Sequence, residues 1–267
     1  MIRNAFIVPH SPILIPTIGK VNLALLKKSA KAYEQLAIKT KEAEPDLIVI
    51  ISPHSQSAGE NFAINIAPKM AINFEEFGDF ATRNTIVGHM TLAHELKESL
   101  RLEHPIKLSS QEVLDYGSAI PYQLLTGEYK KAKVLPLATS ELSLEDHYKF
   151  GQKVGDFLIN RPEKILLVAS ADLSHKLKRS SVAGYSPKGA KFDNKLIEYL
   201  NNPETAVENI LKMDSGLIKE ALPCGLKSIV MLLGMISRLE YSPQTLAYQG
   251  DLGIGYLTMD LNIDYEH

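Results

Sequence analysis

Apolar residues occur along the chain in short continuous runs that are separated by longer amphipathic stretches. The continuous runs lie at residues 5–8 (AFIV), 45–52 (PDLIVIIS), 134–139 (VLPLAT) and 164–170 (KILLVAS). A short apolar run without alternation is typical of a strand that is covered on both faces. Residues 62–68 (FAINIAP) alternate instead, which indicates a strand with one drier face. Two closing strands are predicted near residues 245–249 and 253–261.

The stretches between these runs carry apolar residues at helical spacing. We predict helices at residues 22–43, 89–101, 143–160, 187–200, 203–213, 215–221 and 224–238. Because buried strands alternate with amphipathic helices, the chain is expected to form an α/β fold with a mostly parallel central sheet flanked by helices. No repeat or linker-like stretch divides the sequence, so we expect residues 1–267 to form a single layered domain.

The charge balance of the chain restricts the partners that it is expected to have. The 29 basic and 31 acidic side chains nearly cancel, and the formal net charge is -2. Such a chain has no overall field that attracts nucleic acid or an anionic membrane. No apolar run approaches the roughly 18 residues of a membrane-spanning helix, and the start of the chain lacks the layout of a signal peptide. With Cys224 as the single cysteine, we expect a cytoplasmic protein without an internal disulfide.

Three of the eight histidines follow predicted strands. His10 follows AFIV, His54 follows LIVIIS, and His175 follows ILLVAS through the segment Ala-Asp-Leu-Ser. Because the carboxyl ends of parallel strands meet at one edge of a sheet, these rings are expected to lie close together. One such histidine alone is explained by hydrogen bonds to loop backbone, but three together indicate metal binding or proton transfer. The neighbouring prolines, Pro9 and Pro53, either stop the strands or fix the loops that aim the rings.

The other five histidines are expected on the solvated surface. They are His89 and His94 on a charged helix, His104 in a connector, His147 near a helix start, and His267.

Two further residues can take part in chemistry at the same edge. Asp172 stands three residues before His175, where its carboxylate either orients the imidazole, binds a metal or merely caps a turn. Cys224 opens an apolar helix, where the helix dipole favours its thiolate, although free cysteines commonly just pack. The Gly/Pro-rich residues 183–193 form either a lid over a substrate or an ordinary connection.

A series of motifs connects the chain to a known superfamily. In order, the chain carries PHSP (9–12), SPH (52–54), LDYGSAIPYQLL (114–125), ADLSH (171–175) and Cys-Gly at the start of an apolar helix (224–225). This order resembles the catalytic chain of the class III extradiol ring-cleavage dioxygenase superfamily over residues 5 to 257. The stretches LSHKL, GYSPKGAKFDNKLIEYL and CGLKSIVMLLG are most similar to the branch that contains the Memo-like proteins and the radical-SAM-associated dioxygenase-like domains.

The resemblance implies a role for several residues. It implies that His10 and His54 are the histidine ligands of a non-haem Fe(II), and that His175 is the acid–base histidine. It also implies that Asp115, Tyr116 and Gly117 lie in a loop near the substrate.

The third metal ligand departs from the ring-cleaving pattern. Those enzymes have a glutamate where this chain has Cys224, as the Memo-like branch does, and in that branch Asp172 would also approach the metal. Glu220, one helical turn earlier, is the alternative if the register differs. A thiolate shifts the preference from Fe(II) toward copper, zinc or a thiolate-tuned iron.

Three functions therefore come from the sequence. The first is a non-haem Fe(II)-dependent extradiol-type dioxygenase that acts on an unidentified aromatic diol, with His175 and Asp172 as catalytic residues. The second is a Memo-like metal-binding protein with a redox or partner-binding role in a radical-SAM-associated system. The third is a zinc hydrolase that activates water at the same site. The expected partners are a small aromatic substrate and, for the second function, radical-SAM-associated proteins; a homo-oligomer is left open.

Overall fold

The strands follow the apolar runs closely. The computed structural model describes residues 1–56, 59–101, 106–127, 129 and 131–264. Its strands are β1 (Ile2–Val8), β2 (Leu47–Ser52), β3 (Phe62–Asn65), β4 (Lys69–Phe74), β5 (Asp79–Val87), β6 (Ile106–Ser109), β7 (Lys133–Ala138), β8 (Ile165–Ser170), β9 (Gln244–Gln249) and β10 (Tyr256–Asp260).

Helices fill most of the connections between the strands. The α-helices are α1 (Pro16–Gly19), α2 (Lys27–Ala43), α3 (Met90–Leu100), α4 (Tyr116–Thr126), α5 (Leu144–Ile159), α6 (Pro187–Leu200), α7 (Ala206–Leu211), α8 (Ser215–Ala221) and α9 (Leu226–Met235). Short 3-10 helices lie at Pro12–Leu14, Lys20–Leu26 and Glu75–Phe77. Across the described ranges, no helix combines the length and the apolar character needed to cross a membrane.

Eight strands form one sheet in the order β6-β3-β7-β2-β8-β1-β10-β9. The central pairs β7–β2, β2–β8 and β8–β1 are parallel, as is the outer pair β3–β6. The pairs β3–β7, β1–β10 and β10–β9 are antiparallel, and β4 pairs with β5 in a separate hairpin. The predicted α/β fold with a mostly parallel central sheet flanked by helices is thus confirmed.

Two hydrophobic cores, one on each face of the sheet, explain the continuous apolar runs. In β2, Leu47, Val49 and Ile51 enter the core that contains residues of α5 and α9. The intervening Ile48 and Ile50 enter the opposite core, which contains residues of α2 and α4. Because successive strand residues point to opposite faces, a strand buried on both sides needs apolar residues at every position.

The apolar pattern gives no prediction for the hairpin β4–β5, for β6 or for α4. Strand β5 is largely exposed, so few of its residues need to be apolar. Helix α4 contains Gly117 and Pro121, which are typical of loops. The long helix predicted over 22–43 is also irregular at its start, because Lys20–Leu26 forms a 3-10 helix and α2 begins only at Lys27.

His147 does not lie on the solvated surface, so that expectation is wrong. Its ring is fully buried, and it packs edge-on against Phe62. His147 Nε2 accepts a hydrogen bond from the Ser140 backbone N–H (3.1 Å), and Nδ1 donates to the Ser143 carbonyl (2.7 Å). The ring therefore holds the connection before α5. His94 is exposed as expected, His89 is half-buried, and His104 and His267 lie outside the described residues.

We expect His147→Ala to lower the free energy of unfolding by about 3 kcal/mol at pH 7, because it removes a buried ring and leaves the Ser140 N–H without an acceptor. Burial lowers the pKa of His147 to about 4, below its ordinary value of 6.5. Between pH 6.5 and 4 the unfolded chain therefore gains a proton at His147 before the folded protein does, which destabilises the wild type as the pH falls. The variant lacks this loss, so the difference in the free energy of unfolding between the wild type and His147→Ala should become smaller as the pH falls.

Urea unfolding between pH 7 and pH 4.5 measures that gap. The exposed His94→Ala is the matched control, and its effect should stay below about 0.5 kcal/mol at each pH. If the difference in the free energy of unfolding between the wild type and His147→Ala grows as the pH falls, the ring is not neutral in the folded protein.

Candidate metal centre

The centre lies where three neighbouring parallel strands end. Strands β2, β8 and β1 are adjacent in that order, so their carboxyl ends reach the same edge of the sheet. Two residues after each strand comes a potential ligand: His54 after β2, Asp172 after β8, and His10 after β1. The equal offset from adjacent strand ends brings His54 and Asp172 close to His10 at this edge, with His54 Nε2 3.0 Å and Asp172 Oδ2 3.5 Å from His10 Nε2. The proximity of the two histidines is as expected from the sequence.

The protonation state of His10 is fixed by Ser170. Ser170 Oγ donates its proton to the Gly117 carbonyl, so it accepts the hydrogen bond from His10 Nδ1 (2.8 Å). His10 Nδ1 therefore carries the ring proton, and Nε2 keeps a lone pair. Burial lowers the pKa of His10 to about 3, which keeps Nε2 unprotonated at neutral pH.

The His54 ring points at the same space as His10. The two Nε2 atoms are 3.0 Å apart, and the rings are nearly perpendicular. Tyr116 stacks on His54 with ring centroids 4.5 Å apart, and Phe77 supports Tyr116 edge-on. Burial, followed by the neighbouring His10, lowers the pKa of His54 to about 4. Both imidazoles are therefore neutral at pH 7, the form that binds metals.

Asp172 and Cys224 complete the cluster around His10 Nε2. Asp172 Oδ2 and Cys224 Sγ each lie 3.5 Å from that nitrogen. Asp172 Oδ1 accepts a hydrogen bond from the His10 backbone N–H (3.0 Å), and the Asp172 carbonyl accepts one from the Gly225 N–H (3.0 Å). A Cβ on Gly225 would lie only 2.3 Å from Ala171 Cα. Glycine at position 225 thus lets the chain hold Cys224 against the end of β8.

The Cys224 thiol is not activated in the way that the sequence suggests. Helix α9 begins at Leu226 with Gly225 as its N-cap residue, so Cys224 lies before the helix and not in its first turn. Burial, followed by the nearby Asp172, raises the pKa of Cys224. Of the two alternatives for Cys224, a thiolate favoured by the helix dipole is therefore not supported by this geometry. A cation at this point would have to displace the thiol proton on binding.

His175 also lies beside Cys224. Its Nδ1 donates to the carbonyl oxygens of Leu173 (3.1 Å) and Leu222 (2.9 Å), which leaves Nε2 unprotonated in the neutral ring. Ligand atoms of Asp172, His175 and Cys224 lie within 4.8 Å of one another.

The ligand atoms of His10, His54 and Cys224 also lie within 4.8 Å of one another. Cys224 therefore belongs to both groups of potential ligands. Glu220, the alternative third ligand, is exposed and belongs to neither group among the described residues.

The carboxylate of Asp115 is hydrogen-bonded to other residues of the protein. Asp115 is the N-cap residue of α4 and accepts a hydrogen bond from the Ser118 N–H (3.1 Å). Its carboxylate also accepts from the hydroxyls of Ser52 (2.5 Å), Ser55 (2.6 Å) and Ser118 (2.9 Å). Ser52 and Ser55 flank His54 in the chain, so Asp115 holds the loop that carries this histidine.

Gly117 lies against the same loop. A Cβ at this position would lie 2.5 Å from Ser52 Oγ and 3.2 Å from His54 Cδ2, so a side chain here would displace the Ser52 hydroxyl. Ser52 and Ser170 are the positioning residues that the sequence does not reveal directly. Each is a single polar residue at the last position of an apolar strand, and that pattern is the signal that could have found them.

The donor set fits a transition metal. Two neutral imidazole nitrogens and a thiol form one group of potential ligand atoms, and a carboxyl oxygen lies 3.5 Å from His10 Nε2. This mixture of donors suits Fe(II), zinc or copper better than magnesium or calcium. Each imidazole on the strand ends is held by packing or by a hydrogen bond from its other side, as metal-ligating histidines commonly are.

Comparison with known proteins gives the family. A family model described as "Catalytic LigB subunit of aromatic ring-opening dioxygenase" matches residues 4–258. The chain belongs to this family. The resemblance to the class III extradiol superfamily is thereby confirmed, and the Memo-like branch stays a prediction that is consistent with the match.

Individual members and structures are more distant. A Clostridium acetobutylicum protein, Protein CA_C1420, is 26% identical over 270 residues, which cover 97% of this chain and 57% of that protein. The 2,3-dihydroxyphenylpropionate/2,3-dihydroxicinnamic acid 1,2-dioxygenase of Rhodococcus globerulus is 22% identical over 154 residues, 54% of this chain and 48% of that enzyme. The chain thus spans about half the length of these curated relatives.

The crystal structure of uncharacterized protein JW3007 from Escherichia coli K12 has a similar fold. It has a TM-score of 0.69 and 16% sequence identity, and the match covers 97% of this chain and all of that one. At this identity the likeness supports the fold alone.

Proposed function

We propose that this LigB-family protein is a non-haem Fe(II)-dependent extradiol-type dioxygenase that acts on a small aromatic diol. The observation that carries the proposal is the pair of neutral imidazoles, His10 and His54, whose Nε2 atoms face each other at 3.0 Å on the edge of the sheet. Their position at adjacent strand ends is where α/β sheets bind ligands.

In this proposal His10, His54 and Cys224 hold the metal, and Asp172 lies beside it. Bound Fe(II) would supply the redox chemistry with dioxygen. His175 would accept a proton from a diol hydroxyl at Nε2 and return it later, while its Nδ1 stays fixed by the backbone carbonyls of Leu173 and Leu222.

The N-cap residue and the first turn of α4 would form one wall of the substrate site. Tyr116 is half-buried and stacks on His54, so its exposed part can face a substrate ring. Gly117 lets the start of α4 pack closely against His54, and Asp115 contributes by holding the loop that carries His54.

The thiol favours a second candidate function. Cys224 Sγ belongs to the ligand cluster, and a soft sulfur donor suits copper(I) or zinc as well as iron. In this reading the protein is a Memo-like cytoplasmic metal protein with a redox or partner-binding role, and its partners are radical-SAM-associated proteins.

A turnover experiment separates the two functions. Protein loaded anaerobically with Fe(II), then mixed with a panel of catechols and air, is expected to give yellow ring-fission products. The same protein without added metal, and with zinc in place of iron, should give none. If no catechol turns over and copper is retained through purification, the second function is supported and the first is rejected.

Cys224→Ser tests the third ligand. If the thiolate binds the metal, this variant should bind Fe(II) or copper(I) at least about tenfold more weakly, because serine is a poor soft ligand. Competition with a chelator of known affinity measures the change. Cys224→Asp is the matched control, since a carboxylate should recover part of the affinity for Fe(II) but not for copper(I). Unaltered affinity in Cys224→Ser would exclude the thiolate and leave Asp172 as the third ligand.

A further inference from the structure

A cavity of about 340 Å³ opens beside the metal centre, with His175 and Cys224 in its lining. This volume is at the small end of the range for ligand sites and suits a single substituted ring. The rest of its lining comes from apolar residues: Val182, Ala183, Leu222, Pro223 and Ile254. The cavity is therefore continuous with the candidate metal centre and is apolar away from it.

Residues 176–186 form a loop that holds Val182 over this cavity. The base of the loop is closed by a hydrogen bond from the Ser186 N–H to the Lys176 carbonyl (3.0 Å). Ser181 Oγ donates to the Gly253 carbonyl (2.9 Å), and this attaches the tip of the loop to the segment before β10. Although the backbone beside it is held in this way, the Val182 side chain is fully exposed. An ordered loop thus presents an apolar side chain to the cavity mouth.

Leu222 is the second exposed apolar residue of the cavity. It ends α8 in the left-handed region with φ 51°, a conformation that glycine or asparagine usually adopts. Its side chain is 46% exposed, so the burial of its own side chain does not explain a leucine there. A bulky residue that is strained and exposed at a ligand cavity indicates a contact with the ligand.

The basic side chains of the loop do not line the cavity. Among the residues that the structure describes, no lysine or arginine lines it. The loop carries Lys176, Lys178 and Arg179, none of which is in the lining, and Lys178 Nζ donates to the Asp251 carbonyl (2.6 Å). A carboxylate on the ligand would therefore enter the apolar part of the cavity without a lysine or arginine to pair with, which is unfavourable.

We infer that the cavity binds the substituent of a neutral aromatic diol, a short alkyl or aryl group, and that Val182 and Leu222 determine this preference over carboxylated diols. The inference rests on the proposed function, because the diol itself would bind at the metal centre.

Two compounds with the same skeleton test the preference. 3-Propylcatechol and 2,3-dihydroxyphenylpropionate differ only in a terminal methyl group against a carboxylate. Their dissociation constants are measured by calorimetry on protein loaded anaerobically with Fe(II), so that binding is read without turnover. Metal content is determined in the same samples. We expect 3-propylcatechol to bind at least about tenfold more tightly.

Two variants assign the preference to the named residues. Leu222→Asn should weaken binding of 3-propylcatechol several-fold while its thermal stability is kept, because asparagine adopts the left-handed conformation more readily. Val182→Lys should improve binding of the carboxylated diol and weaken that of 3-propylcatechol. Ile38→Lys is the matched control: Ile38 is exposed on α2, does not line the cavity, and its replacement should change neither constant.

The outcomes are distinguishable. The inference is overturned, while the proposed function stands, if 2,3-dihydroxyphenylpropionate binds as tightly as 3-propylcatechol or more tightly. It is also overturned if the variants leave the ratio of the two dissociation constants unchanged. If neither diol binds although the metal is fully loaded, the proposed function fails, and the inference fails with it.

Discussion

Replacing His10 or His54 with alanine is expected to abolish metal binding under conditions in which the wild type retains one metal ion per chain. Each variant removes one of the two Nε2 atoms that face each other at 3.0 Å, and His175, which lies nearby, belongs to a different group of potential ligands, with Asp172 and Cys224. The loss should exceed the 10- to 100-fold that removal of a supporting residue costs, so we expect affinity to fall by more than about 100-fold. Elemental analysis after gel filtration and chelator competition measure it.

The two variants differ in what they do to the fold, and this makes the experiment decisive. His10 is buried and bonded to Ser170, so its removal also destabilises the protein. His54 is half-buried, and His54→Ala should keep most of the stability while losing the metal. His94→Ala, at an exposed position on α3, should bind metal like the wild type. Unchanged metal content in both site variants would show that the centre lies elsewhere.

Asp115→Ala should weaken metal binding by about 10- to 100-fold although Asp115 is not in the ligand cluster. The substitution removes the acceptor that ties Ser52 and Ser55 to the start of α4, so the loop that carries His54 loses its support. It should also lower the free energy of unfolding by about 2–3 kcal/mol, through loss of the N-cap and of the hydroxyl partners. Asp115→Asn keeps an oxygen acceptor and should recover most of the metal affinity.

A second aspartate provides the control for this experiment. Asp214 is the N-cap residue of α8 and accepts a hydrogen bond from the Leu217 N–H (2.7 Å). Asp214→Ala should cost about 1 kcal/mol of stability and leave the metal affinity unchanged. If both alanine variants lose metal affinity in proportion to their stability, Asp115 has only a structural role.

The elements that could be predicted from the sequence are those whose burial leaves a clear pattern. Strands β2, β7 and β8 lie in the middle of the sheet with helices on both faces, so nearly every residue is apolar and the run is unmistakable. Strand β5 is exposed along most of its length and therefore has no apolar run, and Gly117 and Pro121 make the sequence of α4 look like that of a loop. In these elements tertiary contacts outweigh local preference.

The candidate site could be predicted in its residues but not in its chemistry. His10, His54, Asp172 and Cys224 all follow from strand ends and motif order, and the structure brings them together. The state of each group depends on contacts that no local sequence shows. For example, the proton of His10 is placed by Ser170, 160 positions away in the chain.

The burial of His147 also depends on contacts that the local sequence does not show. A histidine beside polar residues at a helix start suggests a solvated side chain, yet its ring is buried against Phe62 from a distant strand.

The position of β8 has a consequence for how the protein folds. β8 lies between β1 and β2, so the strands that carry His10 and His54 are brought to their final spacing only when residues 165–170 insert between them. Cys224 joins from 214 positions beyond His10. A nascent chain that ends before β8 therefore cannot assemble the centre, and contacts of such long separation form slowly. A metal ion that binds only the completed centre should slow unfolding and leave the rate of folding almost unchanged.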